Sequence, residues 1–212
     1  MKIIFSDFDG TLTNDGKIGA IFFDILNLIE SKNSKLIIVS GRSLSWGHFF
    51  LTHFNLDYCL MEGGGVVIYR DSSGNICEEN LITDEEVKRL DDMTKKLCEE
   101  VPGVIMSADS FGRRTDRAVE FALMSEIDTK KMTDFLKRES INYSQSNVHI
   151  NFWVGDVSKA RGVNYFLKNY ISDVKADETC FFGDAANDES MFELFKHTVG
   201  VSNISEIINQ LK

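Results

Sequence analysis

Residues 3–13 read IIFSDFDGTLT, a short apolar run that is followed at once by two carboxylates, Asp7 and Asp9. Dense apolar runs of this length are typical of strands that are buried on both faces of a sheet. Asp, Gly and Thr also form turns, so one interpretation is a strand that simply ends in a polar loop. However, like charges at the end of a buried strand repel each other unless a cation or a proton transfer uses them. The stretch therefore predicts a functional carboxylate pair.

Two further apolar runs have the same form. Residues 36–39 read LIIV and end at Ser40, and residues 180–182 read CFF and end at a Gly-Asp pair. Apolar spacing near 3.6 at 18–29 and 163–167 predicts helices between the runs. In doubly wound sheets the ligand site lies beyond the carboxyl ends of the strands. The pattern predicts an α/β fold, a Rossmann-like parallel sheet with helices on both faces, whose site collects these polar residues.

A different pattern lies between the second and third runs. Strand-like segments at 66–69 and 76–77 flank a turn-rich stretch, which predicts a hairpin. Further predicted elements are helices at 84–99 and 129–138 and strands at 104–107, 118–123, near Ile141 and near Ile150. We therefore expect a core domain at 1–81 and 153–212, interrupted by an α+β insertion, a second domain, at 82–152.

Composition limits the partners and the compartment. The net charge of -10 argues against binding to nucleic acid or to an anionic membrane. We see no export signal and no apolar run of about 18 residues that could span a bilayer. The 4 cysteines have neither a CxxC pair nor zinc-ligand spacing, which favours reduced thiols. We expect a cytoplasmic protein.

A second acidic cluster, GDAAND at 183–188, follows its apolar run just as Asp7 follows the first one. Two acidic strand ends can meet around one hard cation. Mg²⁺ binds oxygen ligands, usually one or two carboxylates together with waters and a substrate phosphate oxygen. Asp7 and Asp184 are the candidate carboxylates.

Two other positions suit an anion. Ser40, Gly41 and Arg42 follow the second run and offer a hydroxyl and free backbone N–H groups at the start of a predicted helix. Lys159 lies near another predicted helix start, where a lysine opposes the helix dipole but is useful beside a phosphate. Taken alone, each position is also explained by an ordinary solvated residue.

Taken in order, the segments 7–13 (DFDGTLT), 40–42 (SGR), Lys159 and 183–188 resemble the four motifs of the haloacid dehalogenase-like (HAD) phosphatase superfamily. The resemblance spans nearly the whole chain. An insertion between the second and third motifs is similar to the type II (C2) cap. Its helix-strand-strand pattern most resembles the Cof-like IIB branch, which contains many sugar-phosphate phosphatases.

The resemblance implies a role for each motif. Asp7 would attack phosphorus to form an aspartyl-phosphate, and Asp9 would protonate the leaving alcohol and then deprotonate the attacking water. The implied Mg²⁺ ligands are Asp7, the main-chain carbonyl of Asp9 and Asp184. Asn187 and Asp188 would lie around these ligands and hold them in place. The implied phosphate-binding residues are Ser40, Gly41 and Lys159.

Substrate contacts are less well defined by the sequence. Many Cof-like relatives have Glu-Asn-Gly where this chain has EGGG at 62–65, so a polar substrate contact is expected to be absent. The glycines are equally explained by a tight hairpin. The arginine-rich stretch 111–117 (FGRRTDR) is ordinarily read as solvated charge, but forked guanidinium groups suit phosphate or sugar oxygens. The candidate substrate contacts are Arg42, Arg113, Arg114 and Arg117.

These inferences converge on a Mg²⁺-dependent phosphatase for a small phosphorylated metabolite, with sugar phosphates as the expected class. A phosphomutase of the phosphomannomutase type is an alternative, since those enzymes have a similar cap and a double-aspartate motif ending in GTLT. A non-catalytic metabolite sensor is a further alternative. Loss of a catalytic carboxylate is expected in a sensor, and none is lost here.

Overall fold

The computed structural model describes residues 1–145, 149–201 and 204–205. The strands in these residues are β1 Ile3–Ser6, β2 Lys35–Val39, β3 Tyr58–Met61, β4 Val66–Arg70, β5 Ile76–Asn80, β6 Asp116–Val119, β7 Asn142–Gln145, β8 Ile150–Trp153, β9 Thr179–Gly183 and β10 Thr198–Gly200. The helices are α1 Ala20–Ser31, α2 Leu44–His53, α3 Asp84–Glu100, α4 Glu126–Arg138, α5 Lys159–Asn169 and α6 Glu189–Leu194.

The main sheet has the strand order β10-β9-β1-β2-β3-β4-β5. The strands from β10 to β3 are parallel, while β4 and β5 add an antiparallel hairpin at one edge. Strand β1 is central, with Ile4 opposite Leu36 of β2 and opposite Cys180 of β9. The carboxyl ends of β1, β2 and β9 therefore meet at the same edge of the sheet.

Helices cover both faces of this sheet, as the sequence predicts. Side chains alternate between the faces of a strand, so Ile37 and Ile38 of β2 enter two different apolar clusters. On one face α1 and α2 contribute Phe22 and Phe50. On the other face α5 contributes the fully buried Phe166. A sheet buried on both sides explains why its strands are almost uniformly apolar.

The segment between β5 and α5 forms a smaller layered unit. Strands β6, β8 and β7 pair antiparallel in that order, and a third apolar cluster built from residues between Leu90 and Val154 includes side chains of α3 and α4. Helix α3 begins with a capping box in which Thr83 and Glu86 exchange hydrogen bonds. We call this unit the cap and keep the boundaries 82–152 as our proposal.

Two of the predicted cap strands are wrong. Residues 104–107 do not form a strand, because only Met106 bridges to Val119 before the chain turns into a short 3₁₀ segment at Ser110–Gly112. The strand predicted at 118–123 is shifted, because β6 begins at Asp116 and a 3₁₀ turn replaces its predicted end. Polar Asp116 can enter the strand because Arg113 and the side-chain amide of Asn151 donate hydrogen bonds to its carboxylate.

The length and composition of the helices also bear on membrane insertion. Within the part of the chain that the structure describes, no helix combines the length and the apolar character needed to cross a membrane.

Candidate active site

Asp7 lies directly after the central strand β1 and is 5% exposed. Its backbone N–H donates to the carbonyl oxygen of Phe182 at 2.9 Å, which extends the pairing of β1 with β9 by one residue. Its carboxylate Oδ1 accepts the backbone N–H of Phe8 at 2.8 Å. The β1 backbone therefore holds this carboxylate at the carboxyl edge of the sheet.

Lys159 connects Asp7 to the acidic loop that follows β9. Its Nζ lies 3.0 Å from Asp7 Oδ1 and 2.7 Å from Asp188 Oδ1. Burial alone would lower the pKa of Lys159, but the two carboxylates outweigh burial and raise it. Lys159 therefore stays charged at neutral pH, in the first turn of α5.

Asp188 organises the loop that carries Asp184. Its Oδ2 accepts the backbone N–H groups of Asp184 at 3.1 Å and Ala185 at 3.2 Å, while Oδ1 faces Lys159. Asp184 Oδ1 in turn accepts the hydroxyl proton of Thr11 at 2.9 Å, so the first and last motifs are linked directly. Asp188 thus fixes this loop, whereas Asn187 is exposed, and the metal-supporting role expected of both stays a prediction.

The acidic side chains form a suitable donor set for a hard cation. Asp7, Asp184 and Asp188 each offer a carboxylate oxygen, and these atoms all lie within 4.8 Å of one another. Burial raises the pKa of Asp7 to about 7 although Lys159 opposes this, and the nearby Asp188 adds to the rise. A divalent cation would offset the excess of negative charge, so these residues fit Mg²⁺.

Asp9 lies two residues beyond Asp7 and is paired with Arg42. The guanidinium donates from Nε to Asp9 Oδ2 at 2.8 Å and from a terminal nitrogen to Asp9 Oδ1 at 2.7 Å. It also lies over the ring of Trp46, 4.7 Å from the centroid. Its hydrogen bonds with Asp9 raise the pKa of Arg42, which burial opposes. The structure therefore places Arg42, a predicted substrate contact, on the expected acid-base residue.

Ser40 and Gly41 lie at the end of β2, beside Asp7. The β1–β2 register sets Ser6 opposite Ile38, which brings the two strand ends to the same place. Ser40 is fully buried, and its hydroxyl oxygen accepts the backbone N–H of Arg42 at 3.1 Å. A hydroxyl that accepts one hydrogen bond can still donate another. The arrangement is compatible with the predicted phosphate-binding role, which stays a prediction.

The arginines of the cap have different surroundings. Arg113 is buried and donates to Asp109, to Asp116 and, across to the core, to the carbonyl oxygen of Gly41 at 3.1 Å. Arg117 pairs with Asp91, and Arg114 has an exposed side chain. Arg113 therefore joins the cap to the loop that follows β2 rather than facing solvent, and Arg114 is the exposed member of the group.

Sequence reasoning missed Glu62, which lies at the end of β3 and is 1% exposed. Its Oε1 accepts the backbone N–H of Leu44 at 3.0 Å, in the core. Its Oε2 accepts the backbone N–H of Thr115 at 2.6 Å and the Thr115 hydroxyl at 2.8 Å, in the cap. Burial raises the pKa of Glu62, and the charge of Asp116 adds to this. The sequence signal that could have identified Glu62 is an acidic residue directly after an apolar run.

The following glycines have a structural reason. Gly64 has φ +93°, and a Cβ there would lie 2.4 Å from the carbonyl oxygen of Ser158. Any larger residue would push the β3–β4 connection away from the start of α5. Gly64 thus allows the close approach that brings Lys159 to Asp7.

The sequence of this chain was compared with those of known proteins. The chain matches the haloacid dehalogenase-like hydrolase family over residues 4–116 and 118–211. It belongs to that family. A Nitrosopumilus maritimus protein named phosphoglycolate phosphatase is 28% identical over 209 residues, covering 94% of this chain and 83% of the relative. Phosphoglycolate phosphatase 1 of Saccharolobus solfataricus is 20% identical over 214 residues, covering 100% of this chain and 87% of the relative.

Structural comparison supports the fold. A solved HAD subclass IIB sugar phosphatase superposes with a TM-score of 0.68 at 17% identity, covering 100% of this chain and 91% of its own. The predicted resemblance to the HAD superfamily and the predicted fold class are therefore confirmed. The chain is a HAD-type phosphatase.

Proposed function

We propose that this HAD phosphatase is Mg²⁺-dependent and hydrolyses a small phosphorylated metabolite through an aspartyl-phosphate on Asp7. The contact between Asp7 and Lys159 carries the proposal, since Nζ lies 3.0 Å from the carboxylate at the carboxyl edge of the sheet. A buried carboxylate beside a fixed cation can attack an anionic phosphate without a large electrostatic barrier. Asp9, two residues further on, supplies the second carboxyl that this chemistry needs.

The reaction divides into two displacements. In the first, a carboxylate oxygen of Asp7 attacks phosphorus, the bond from phosphorus to the alcohol oxygen breaks, and the leaving oxygen takes the proton of Asp9. In the second, a water oxygen attacks phosphorus while Asp9 takes a proton from that water, and the bond from phosphorus to the Asp7 oxygen breaks. This restores the Asp7 carboxylate and releases inorganic phosphate. Lys159 and Ser40 hold phosphoryl oxygens during both displacements.

Mg²⁺ would be held by Asp7, Asp184 and the main-chain carbonyl of Asp9, with Asp188 fixing the loop that carries Asp184. The cation supplies charge neutralisation between the carboxylates and the phosphoryl oxygens. The convergence of Asp7, Asp184 and Asp188 within 4.8 Å supports this assignment.

The substrate is a small phosphate monoester. Sugar phosphates are the class expected from the sequence, and two curated relatives are named phosphoglycolate phosphatases, which adds a short acidic ester to the candidates. We propose that hydrolysis releases inorganic phosphate to water rather than transferring it within the substrate.

A panel of phosphate esters tests the proposal. The purified protein is assayed for phosphate release with Mg²⁺ on hexose 1-phosphates, hexose 6-phosphates, 2-phosphoglycolate and p-nitrophenyl phosphate, beside Asp7→Asn. We expect release by the wild type and none by the variant. Conversion of a hexose 1-phosphate into its 6-phosphate without phosphate release would instead identify a phosphomutase. Absence of turnover on every ester would remove the proposed function.

A further inference from the structure

The pairing of Asp9 with Arg42 conflicts with the role assigned to Asp9. Both carboxylate oxygens accept hydrogen bonds from the guanidinium, at 2.8 and 2.7 Å. A carboxyl group that gives its proton to a leaving oxygen must direct one of its oxygens at that atom, and here both oxygens are directed at the guanidinium. Arg42 must therefore release at least one Asp9 oxygen when substrate binds, and some other group must then satisfy the guanidinium.

The backbone of Arg42 is fixed while its side chain is accessible. Its N–H donates to Ser40 Oγ, and its carbonyl oxygen accepts the N–H of Glu62 at 2.9 Å. The side chain is 29% exposed and lies over Trp46. A flat aromatic face lets the guanidinium slide while it keeps its stacking contact. Arg42 can thus change partners without any change in the phosphate-binding loop.

Two other cations of this region are each enclosed by a pair of carboxylates. Lys159 is buried between Asp7 and Asp188, and Arg113 is buried between Asp109 and Asp116. Arg42 instead lies beside the carboxyl that must reach the leaving-group oxygen. A substrate group attached close to that oxygen therefore meets Arg42.

The present partner of Arg42 indicates which substrate group would replace it. The guanidinium holds a carboxylate through two parallel hydrogen bonds, a geometry that matches planar anions and that a single hydroxyl cannot reproduce. We propose that Arg42 is a specificity-determining residue that exchanges Asp9 for a carboxylate of the leaving group. The enzyme would then favour phosphate esters of short hydroxy acids, and such a substrate would itself release Asp9 for proton transfer.

The inference rests on the proposed function, and a matched pair of substrates separates the two. 2-Phosphoglycolate and ethyl phosphate have leaving groups of the same length, and a carboxylate in the first replaces the methyl group of the second. Wild type, Arg42→Gln and Arg42→Lys are compared by kcat/KM on both, after circular dichroism shows that each is folded. Arg114→Gln tests the exposed cap arginine, and Arg138→Gln is a control on the outer surface of α4.

We expect wild type to prefer 2-phosphoglycolate, and Arg42→Gln to lower kcat/KM on that ester by about tenfold to a hundredfold, the range for loss of a partly exposed charged pair. Its kcat/KM on ethyl phosphate should instead rise, since that ester has no carboxylate to release Asp9 from Arg42 and the variant no longer holds Asp9. The kcat/KM of Arg42→Lys on 2-phosphoglycolate should be intermediate, because lysine keeps the positive charge but lacks the two parallel N–H donors of the guanidinium.

Three results would overturn the inference. An equal loss on both esters in Arg42→Gln would make Arg42 a positioning residue only, and a selective loss in Arg114→Gln would move the carboxylate contact to the cap. In both cases the proposed function stands. No turnover of any ester by wild type would overturn the proposed function and this inference together.

Discussion

Lys159 Nζ lies 3.0 Å from Asp7 Oδ1, although the whole cap separates the two residues in the chain. The contact depends on β1 ending at Asp7, on α5 beginning at Lys159 and on Gly64 letting α5 approach. The same ammonium also contacts Asp188. One buried cation thus connects three motifs, and its loss should affect both folding and chemistry.

Asp7→Asn should abolish phosphate release while the protein remains folded. The amide has nearly the shape of the carboxylate and can accept the Phe8 N–H, but it is a poor nucleophile and a weaker metal ligand. Phosphate release and circular dichroism measure the two properties on one sample. Normal turnover by a well-folded Asp7→Asn protein would contradict covalent catalysis at this position.

The stability of the metal-free protein should depend on pH through Asp7. Burial raises the pKa of Asp7 from 3.8 to about 7, so between these values the folded state holds a proton that the unfolded state has lost. The free energy of unfolding should therefore fall as pH rises, by on the order of 1 kcal/mol per pH unit between pH 5 and 7. Urea unfolding in EDTA at pH 5, 6, 7 and 8 measures this.

Asp7→Asn serves as the comparison in that experiment, because an amide does not titrate. The difference in unfolding free energy between wild type and Asp7→Asn should change across pH 5 to 7 and become constant above it. Parallel curves for the two proteins would show that Asp7 has an ordinary pKa.

Lys159→Met should destabilise the metal-free protein at pH 8 by about 3 to 5 kcal/mol, because it leaves buried carboxylates without their cation. Adding Asp7→Asn to Lys159→Met should restore part of this loss. Lys196→Met is the matched control, since Lys196 forms an exposed pair with Asp177 and should change stability little. If Lys159→Met and Lys196→Met behave alike, the buried pairs do not support the fold.

Removal of divalent metal should stop turnover, and Mg²⁺ should restore it. Asp7, Asp184 and a bound phosphate ester repel one another unless a cation lies between them. Activity is measured after EDTA treatment and gel filtration, then after addition of Mg²⁺. Thermal unfolding is followed in parallel, where Mg²⁺ should raise Tm for wild type and less for Asp184→Asn. Full activity of the metal-free protein would be incompatible with the proposed ligands.

The fold and the centre of the site were predictable from the sequence because they depend on local patterns. Apolar runs predict strands, and polar residues that follow parallel strands must meet at one edge, which placed Asp7, Ser40 and Asp184. The pairing of Arg42 with Asp9 was not predictable, because it depends on the direction of two side chains on different loops. The start of β6 was misplaced because Asp116 is polar and is accommodated only through partners that packing supplies.

Glu62 depends on both parts of the molecule, which is why only the structure reveals it. Its carboxylate joins Leu44 at the start of α2 to Thr115 just before β6, and thereby connects the core to the cap. Its carboxylate oxygens are surrounded by N–H and O–H groups that donate hydrogen bonds to them. The side chain at this position must therefore act only as a hydrogen-bond acceptor. Glu62→Gln should replace one acceptor with an NH₂ donor that faces other donors.

We expect Glu62→Gln to lower the free energy of unfolding by about 1 to 3 kcal/mol, the effect of leaving buried polar groups unpaired. Amide hydrogen exchange should accelerate selectively at Leu44 or at Thr115, since the two N–H groups donate to different oxygens of Glu62 and the one that faces the new NH₂ group loses its acceptor. Glu100→Gln, at an exposed ion pair with Arg138, is the matched control and should leave both exchange rates unchanged. If Glu62→Gln retains wild-type exchange at both Leu44 and Thr115, the carboxylate does not hold the cap, and Arg113 with its contact to Gly41 would be the stronger tie.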